Sequence, residues 1–126
     1  MMNRILVFAA FFGALSVIFG AFGAHSLKAL ISEQALANWQ TAVLYQFIHS
    51  VVLLFLSGKP EITNAKLSAW FFSVGILLFS GSLYLLSLRD LWGLPVSFLG
   101  PLTPIGGLFF IAGWFTLLMA GLRKKD

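Results

Sequence analysis

The chain has 126 residues, of which 60% are hydrophobic and 10% are charged. Soluble domains are about a quarter charged, so this chain cannot cover a water-facing surface. The absence of cysteine excludes disulfides and thiolate metal sites. The net charge of +4 does not indicate nucleic-acid binding, because the Lys and Arg residues lie between apolar runs and at the chain ends, where they set membrane orientation.

Four apolar runs of 18 to 22 residues predict the architecture. A helix needs about 20 apolar residues to cross the hydrocarbon core. The bilayer offers no water to backbone amides, so runs of this length must be helical. We therefore predict an all-α membrane protein, a single four-helix transmembrane bundle over residues 1–126, with spans at roughly 5–24, 39–56, 67–88 and 105–122.

Residues typical of helix ends flank these runs. Asn3 and Asn64 are suited to cap the first and third helices, and Ser32 followed by Glu33 predicts the start of the second. Gly58, before Pro60, predicts a left-handed end to the second helix. Thr103 before Pro104 predicts the start of the fourth, with Pro104 at the first helical position.

The charges at the two ends of the bundle predict its orientation. Six positive side chains belong to the side of the termini and the middle loop, and two, Lys28 and Arg89, to the other. Because the positive excess marks the cytoplasm, both termini should be cytoplasmic and the protein should lie in the cell inner membrane. The predicted interfacial tryptophans are Trp39 and Trp92 outside and Trp70 inside. The six positive residues are Arg4, Lys59, Lys66, Arg123, Lys124 and Lys125.

A cleaved signal peptide is the alternative for the first run. Residues 1–23 have a positive start, an apolar stretch and small residues near Ala21-Phe22-Gly23. The apolar stretch is longer than the roughly 7–15 residues of a signal core, so retention is the favoured interpretation. The third connection, residues 89–103, is too apolar for an open loop and too rich in Pro and Gly for a long helix. We expect it to lie in the interface or to fold back onto the bundle.

Several short motifs together resemble a known family. The chain is similar to the small membrane proteins grouped as domain of unknown function 423, and to the eukaryotic transmembrane protein 256. The resemblance implies a multi-pass protein of bacterial inner membranes, and it implies no activity and no catalytic residue. The motifs are Gly20-Ala21-Phe22-Gly23-Ala24-His25-Ser26-Leu27, Trp39-Gln40-Thr41-Ala42-Val43-Leu44-Tyr45-Gln46 with His49, Gly81-Ser82-Leu83-Tyr84, Thr103-Pro104-Ile105-Gly106-Gly107 and Gly113-Trp114.

Polar residues inside the second span form the first candidate site. Gln46 and His49 fall near mid-bilayer and share a helix face, flanked by Tyr45 and Ser50. An intramembrane ionisable residue is a functional hypothesis by default, and the simpler alternative is a neutral His49 bonded to another helix. Ser80 and Tyr84, on the third span, are the expected partners of His49.

A second candidate site lies at the outer face. His25 ends the first span, and Thr103, Gly106 and Gly107 open the fourth, where a helix start free of side chains suits an anion. The alternative for the glycines is close helix packing. The same interpretation applies to the small-residue series Ser16, Gly20, Ala24 and Gly106, Gly113, Ala120, and Trp114 is expected to pack. We expect no metal, because the chain has only two histidines.

These residues lead to three functional hypotheses. The first is a non-enzymatic membrane component that self-associates or joins a larger assembly in the lipid bilayer. The second is a small channel or transporter with a path lined by Tyr45, Gln46 and His49. The third, a membrane enzyme, is disfavoured because the acidic residues lie outside the spans; we expect no cofactor. The acidic residues are Glu33, Glu61, Asp90 and Asp126.

Overall fold

The computed structural model describes residues 1–93 and 95–123. Lys124, Lys125 and Asp126, which enter the orientation prediction, and Leu94 of the third connection lie outside the described residues. Five α-helices lie in this part of the chain: α1 (Arg4–His25), α2 (Glu33–Ser57), α3 (Ala65–Gly75), α4 (Gly81–Trp92) and α5 (Leu102–Leu122). A π-helical turn, Ile76–Ser80, joins α3 and α4 into one continuous rod.

Four rods are long and apolar enough to cross a membrane, which confirms the predicted all-α, four-span fold. They extend over Arg4–Ala29, Glu33–Ser57, Ala65–Trp92 and Ser97–Leu122. We refer to them as the first to fourth spans; the first and fourth include the short 3-10 turns Leu27–Ala29 and Ser97–Leu99. The second span is six residues longer at its start than the apolar run 39–56, because its first turns are polar.

The two expected caps behave as predicted at α1 and α2. The Asn3 Oδ1 accepts a bond from the Leu6 amide at 3.1 Å, and the Ser32 Oγ accepts one from Ala35 at 3.1 Å. Asn64 holds the cap position of α3 with a φ of 59°, but its side chain makes no capping bond. The left-handed residue at the other end of the third span is Gly93, with a φ of 62°.

Two predicted helix ends are wrong in detail. Gly58 has a φ of −98° and is not left-handed, because its amide bonds to the Phe55 carbonyl at 3.2 Å and tightens the last turn. The fourth helix begins at Leu102, one residue before Thr103, so Pro104 is its third residue. Proline is tolerated there because the first four helical amides have no intrahelical partner.

The spans contact each other in chain order. The first packs on the second, the second on the third and the third on the fourth. Among the described residues, no Cα of α1 lies within 8 Å of one in α5, so the bundle is open between its first and last spans. One apolar cluster centres on Phe72 and Leu53 and another on Trp39 and Leu27.

Glycines and aromatic rings fit together where the third and fourth spans cross. The Phe110 ring occupies the space beside Gly75, and the Phe72 ring occupies the space beside Gly113. This confirms close packing at Gly113. On the first span Ser16 is buried, a Cβ on Gly20 would lie 3.4 Å from the Val43 side chain of the second span, and the Trp39 indole packs against Gly23. The predicted Ala24 is exposed. A helix face that includes Ser16 includes the residue seven positions later, Gly23, better than the residue eight positions later.

The interfacial tryptophans and the third connection were predicted in part. Trp70 and Trp92 are exposed, but Trp39 is only 3% exposed and its indole donates to the Phe19 carbonyl at 2.8 Å. It therefore bonds two helices together and is covered by protein, whereas an interfacial anchor would be exposed. The helix α4 continues to Trp92, and in the connection beyond it Val96 and Leu99 are buried, with the Ser97–Leu99 turn in contact with α4 and α5.

Candidate functional site

The amide side chain of Gln46 joins the first three spans. It is buried, its Nε2 donates to the Phe12 carbonyl of α1 at 2.9 Å, and its Oε1 accepts from the Tyr84 hydroxyl of α4 at 2.7 Å. A side-chain amide suits this place because it carries a donor and an acceptor on two separate atoms. The Phe12 carbonyl also accepts the Ser16 hydroxyl at 2.7 Å.

The His49 imidazole joins the second and fourth spans. Its Nδ1 lies 2.6 Å from the Tyr45 carbonyl oxygen, and its Nε2 accepts from the Trp114 indole N–H at 3.1 Å. A carbonyl oxygen can only accept, so Nδ1 carries the proton, and Nε2 must offer a lone pair to the indole. Both ring nitrogens are thus paired in the neutral form. Burial of His49 in the bundle agrees with its predicted orientation.

The partner of His49 differs from the predicted one. Ser80 and Tyr84 were expected, but Tyr84 bonds to Gln46, and the Ser80 hydroxyl donates to the Ala42 carbonyl at 2.8 Å. The Tyr84 hydroxyl therefore bonds to the residue of α2 that lies one turn before His49. The fourth span supplies the partner of His49, the indole of Trp114.

Aromatic rings surround His49 on that side. Its imidazole stacks on Phe110 with a centroid distance of 3.7 Å and an interplanar angle of 7°. The Phe72 ring lies 5.4 Å away and the Trp114 ring 6.0 Å away. Among the described residues, no Cα of α2 lies within 8 Å of one in α5, so these rings form the contact between the two helices.

Two further residues of the predicted site have other surroundings. The Ser50 hydroxyl donates to the Gln46 carbonyl of its own helix at 2.6 Å. Tyr45 is 39% exposed and its ring stacks outward on Phe79 with centroids 4.5 Å apart. Tyr45 therefore faces away from Gln46, because adjacent helix residues point about 100° apart. Of the predicted set, the structure brings together Gln46 and Tyr84, and one turn further along α2 it places the His49 ring 6.1 Å from the Tyr45 ring.

The predicted outer-face site is not assembled. His25 is exposed at the end of α1, which does not approach α5. The Thr103 hydroxyl lies 2.6 Å from the Ser82 hydroxyl and links the third and fourth spans. A Cβ on Gly106 would lie 2.3 Å from the Phe79 amide nitrogen, and one on Gly107 would lie 3.9 Å from the Phe79 ring. The third span fills the space beside Gly106, leaving no room for an anion on that face.

Sequence reasoning missed Trp114 and Trp39 as hydrogen-bond donors. An indole N–H in hydrocarbon seeks an acceptor, so a tryptophan in the middle of a span already indicates a bond to a neighbouring helix. The acceptors, a histidine nitrogen and a helix carbonyl, depend on how the helices are rotated. In the described part of the chain, no group of three His, Cys, Asp or Glu residues could hold a metal ion.

This geometry defines a class: polytopic α-helical membrane proteins whose buried polar side chains bond their spans to one another. The family described as "Protein of unknown function (DUF423)" matches residues 19–107. The chain belongs to that family, as its motifs predicted.

Relatives cover nearly the whole chain. UPF0382 membrane protein SH2409 of Staphylococcus haemolyticus is 38% identical, over 97% of this chain and 98% of the relative. UPF0382 membrane protein YwdK of Bacillus subtilis is 36% identical over the same shares. UPF0382 inner membrane protein YgdD of Escherichia coli is 36% identical, over 95% of this chain and 90% of the relative. These names agree with the predicted inner-membrane localisation. No solved structure matches.

Proposed function

We propose that this protein is a non-enzymatic membrane component that acts by lateral association, with a second copy or with the subunits of a larger assembly. The observation that carries the proposal is that its buried polar side chains form hydrogen bonds within the protein. Eight polar side chains are buried in the described part of the chain, and seven of them bond to the chain itself. Ser68 is the exception.

Polar groups engaged in this way are unsuited to acid–base chemistry or to lining a path. Both ends of the Gln46 amide are hydrogen-bonded to neighbouring spans. Both ring nitrogens of His49 are also bonded, one to the Tyr45 carbonyl and one to the Trp114 indole. The carboxylates of the described chain, Glu33, Glu61 and Asp90, are exposed in loops or terminal turns. A general acid or base needs a proton-exchanging group within reach of substrate. This arrangement favours a component without catalysis.

The channel alternative lacks support from the geometry. Tyr45, Gln46 and His49 were expected to line one path. The Gln46 amide bonds toward α1 and α4, whereas the rings of Tyr45 and His49 lie against Phe110 of the fourth span. A conducting path needs polar groups that face a shared lumen, and Gln46 does not face the side of the helix that Tyr45 and His49 share.

The outer surfaces of the first and fourth spans are available for association. In each, only 17% of an apolar stretch of 18 residues is buried within the chain, and the two spans lie at opposite ends of the row of contacts. Packing against another helix replaces lipid contacts with protein contacts of similar polarity, so the gain comes from shape complementarity.

Photo-crosslinking in cells tests the proposal. A photoreactive residue replaces Phe11 on α1 or Phe115 on α5, with Leu54 and Leu77, similarly exposed on the second and third spans, as matched controls. We expect discrete crosslinked species from Phe11 or Phe115 at native expression, which mass spectrometry then identifies as copies or other subunits. Two results would overturn the proposal: an absence of crosslinked species at all four positions, or equally strong non-specific crosslinking from all four.

A further inference from the structure

A large groove opens at one end of the bundle and has no role in the helix contacts described above. Its volume is about 1300 Å³, and it lies between the start of α1, the end of α2 and the start of α3. This exceeds the roughly 300–1,000 Å³ of ordinary small-molecule pockets. We call it the inner groove, because it lies at the end with the larger number of basic residues.

The inner groove is cationic. Arg4 and Lys66 line it, together with the polar side chains of Asn3, Asn64 and Ser57. No Asp or Glu is among its described lining residues. Within the described chain neither Arg4 nor Lys66 forms an ion pair; the carboxylate of the adjoining loop, Glu61, lies 3.6 Å from Lys59. The two cations are therefore available to an external anion.

Backbone geometry adds to the positive potential of the inner groove. Both α1 and α3 begin there, so the positive ends of two helix dipoles point toward it. Asn3 holds one wall in place, since its Nδ2 donates to the Ser57 carbonyl at 3.0 Å while its Oδ1 caps α1. At α3 the cap position is Asn64, whose side chain makes no capping bond.

The rest of the lining is apolar and continues toward the hydrocarbon. Ile5, Leu56, Leu67 and the exposed Trp70 lie along the span side of the groove. A ligand that fits must carry an anionic group at the membrane surface and apolar chains beside it. We propose that the inner groove binds an anionic phospholipid. Its phosphate lies at Arg4 and Lys66, and the part of an acyl chain nearest the headgroup lies along Leu67 and Trp70.

The test uses purified protein in detergent, where membrane orientation plays no part. Native mass spectrometry with equimolar dioleoyl phosphatidylglycerol and mass-shifted phosphatidylethanolamine measures retained lipid. We compare the wild type with Arg4→Gln/Lys66→Gln and with a matched control of equal charge change at the opposite end, Lys28→Gln/Arg89→Gln. The wild type and the control should retain phosphatidylglycerol. The groove variant should bind it with an affinity lower by about tenfold or more.

Three results overturn the proposal. One is equal retention of phosphatidylglycerol by the groove variant and the control. Another is equal retention of the two lipids by the wild type. The third is displacement of the lipid by millimolar inorganic phosphate, which would show a phosphate site that needs no lipid.

A second measurement uses the wild-type protein alone, so that the proposal is tested even if the double variant misfolds. Photoactivatable phosphatidylglycerol is crosslinked to the wild-type protein, and the adducts should map to peptides of residues 1–5 and 56–70. Adducts spread evenly over the four spans would contradict the proposal. The inner groove is separate from the exposed positions Phe11 and Phe115, so failure of lipid binding and failure of lateral association give different results.

Discussion

Single side chains in this protein matter chiefly through the partner they satisfy. Gln46, Tyr84, His49 and Trp114 are polar groups within a hydrophobic layer, and each is bonded across helices. Hydrogen bonds between transmembrane helices contribute only about 0.6 kcal/mol on average, whereas a buried polar group left without a partner costs more. The loss of stability on substitution therefore depends on whether the substitution leaves a buried polar group without a hydrogen-bond partner.

The pair Gln46 and Tyr84 allows that asymmetry to be measured. Gln46→Leu leaves the Tyr84 hydroxyl without its acceptor and should destabilise the protein by about 1–3 kcal/mol. Gln46→Leu combined with Tyr84→Phe removes both polar groups and should recover part of that loss. Reversible unfolding in mixed micelles gives the free energies. A double variant no more stable than Gln46→Leu alone would count against the bond.

The contact between His49 and Trp114 predicts a coupling of its own. His49→Leu and Trp114→Phe should each lower stability by about 0.5–2 kcal/mol, with a coupling near 0.6 kcal/mol in the double-mutant cycle. Trp92→Phe, at an exposed tryptophan, is the control and should change stability little. If His49 has only this structural role, His49→Leu retains function in cells; a folded variant without function would indicate a ligand or proton role instead.

At the scale of helices, the third span is organised by an irregularity. The π-helical turn Ile76–Ser80 lies between Gly75 and Gly81, where the fourth span crosses. Wider π turns are rare and occur mostly as single-turn insertions in α-helices. Here the turn brings the Phe79 backbone against Gly106 and directs the Ser80 hydroxyl to the Ala42 carbonyl of α2. The third span thereby contacts the second and the fourth at the same level.

This crossing predicts a sharp contrast between two glycines of α5. Gly106→Ala places a methyl group 2.3 Å from the Phe79 amide nitrogen, so the helices must move apart, at a cost of about 1–3 kcal/mol. Gly121→Ala meets nothing within 4 Å and should be neutral or stabilising by up to about 1 kcal/mol, because alanine restricts the unfolded chain. Thermal unfolding of the two variants in one detergent decides this. Equal effects would refute the close crossing.

For the whole molecule, the distribution of charge predicts its orientation. Arg4, Lys59, Lys66 and Arg123 are exposed at one end of the described structure, and Lys28 and Arg89 at the other. Cytoplasmic ends of membrane proteins carry the positive excess. An alkaline phosphatase fused after the last residue should therefore be inactive, and a green fluorescent protein fused there should fluoresce. An active phosphatase at that position would reverse the assignment.

Much of this architecture was readable from local sequence. The number of spans follows from the length of the apolar runs, because hydrocarbon thickness fixes how many residues a helix needs. The caps at Asn3 and Ser32 follow from their short oxygen-bearing side chains. The burial of Gln46 and His49 follows as well, since polar groups at mid-bilayer face protein where they can.

The pairing of these groups was decided only by tertiary structure. Lipid is as apolar as the bundle interior, so a span that is hydrophobic all round carries no pattern to show which face turns inward. The first and fourth spans are of this kind, and their rotation determines that Trp114 meets His49, that Gly23 rather than Ala24 meets Trp39, and that Gly106 faces Phe79. The outward position of Tyr45 has the same origin, because neighbours on a helix diverge by about 100° and only packing selects which of them is covered.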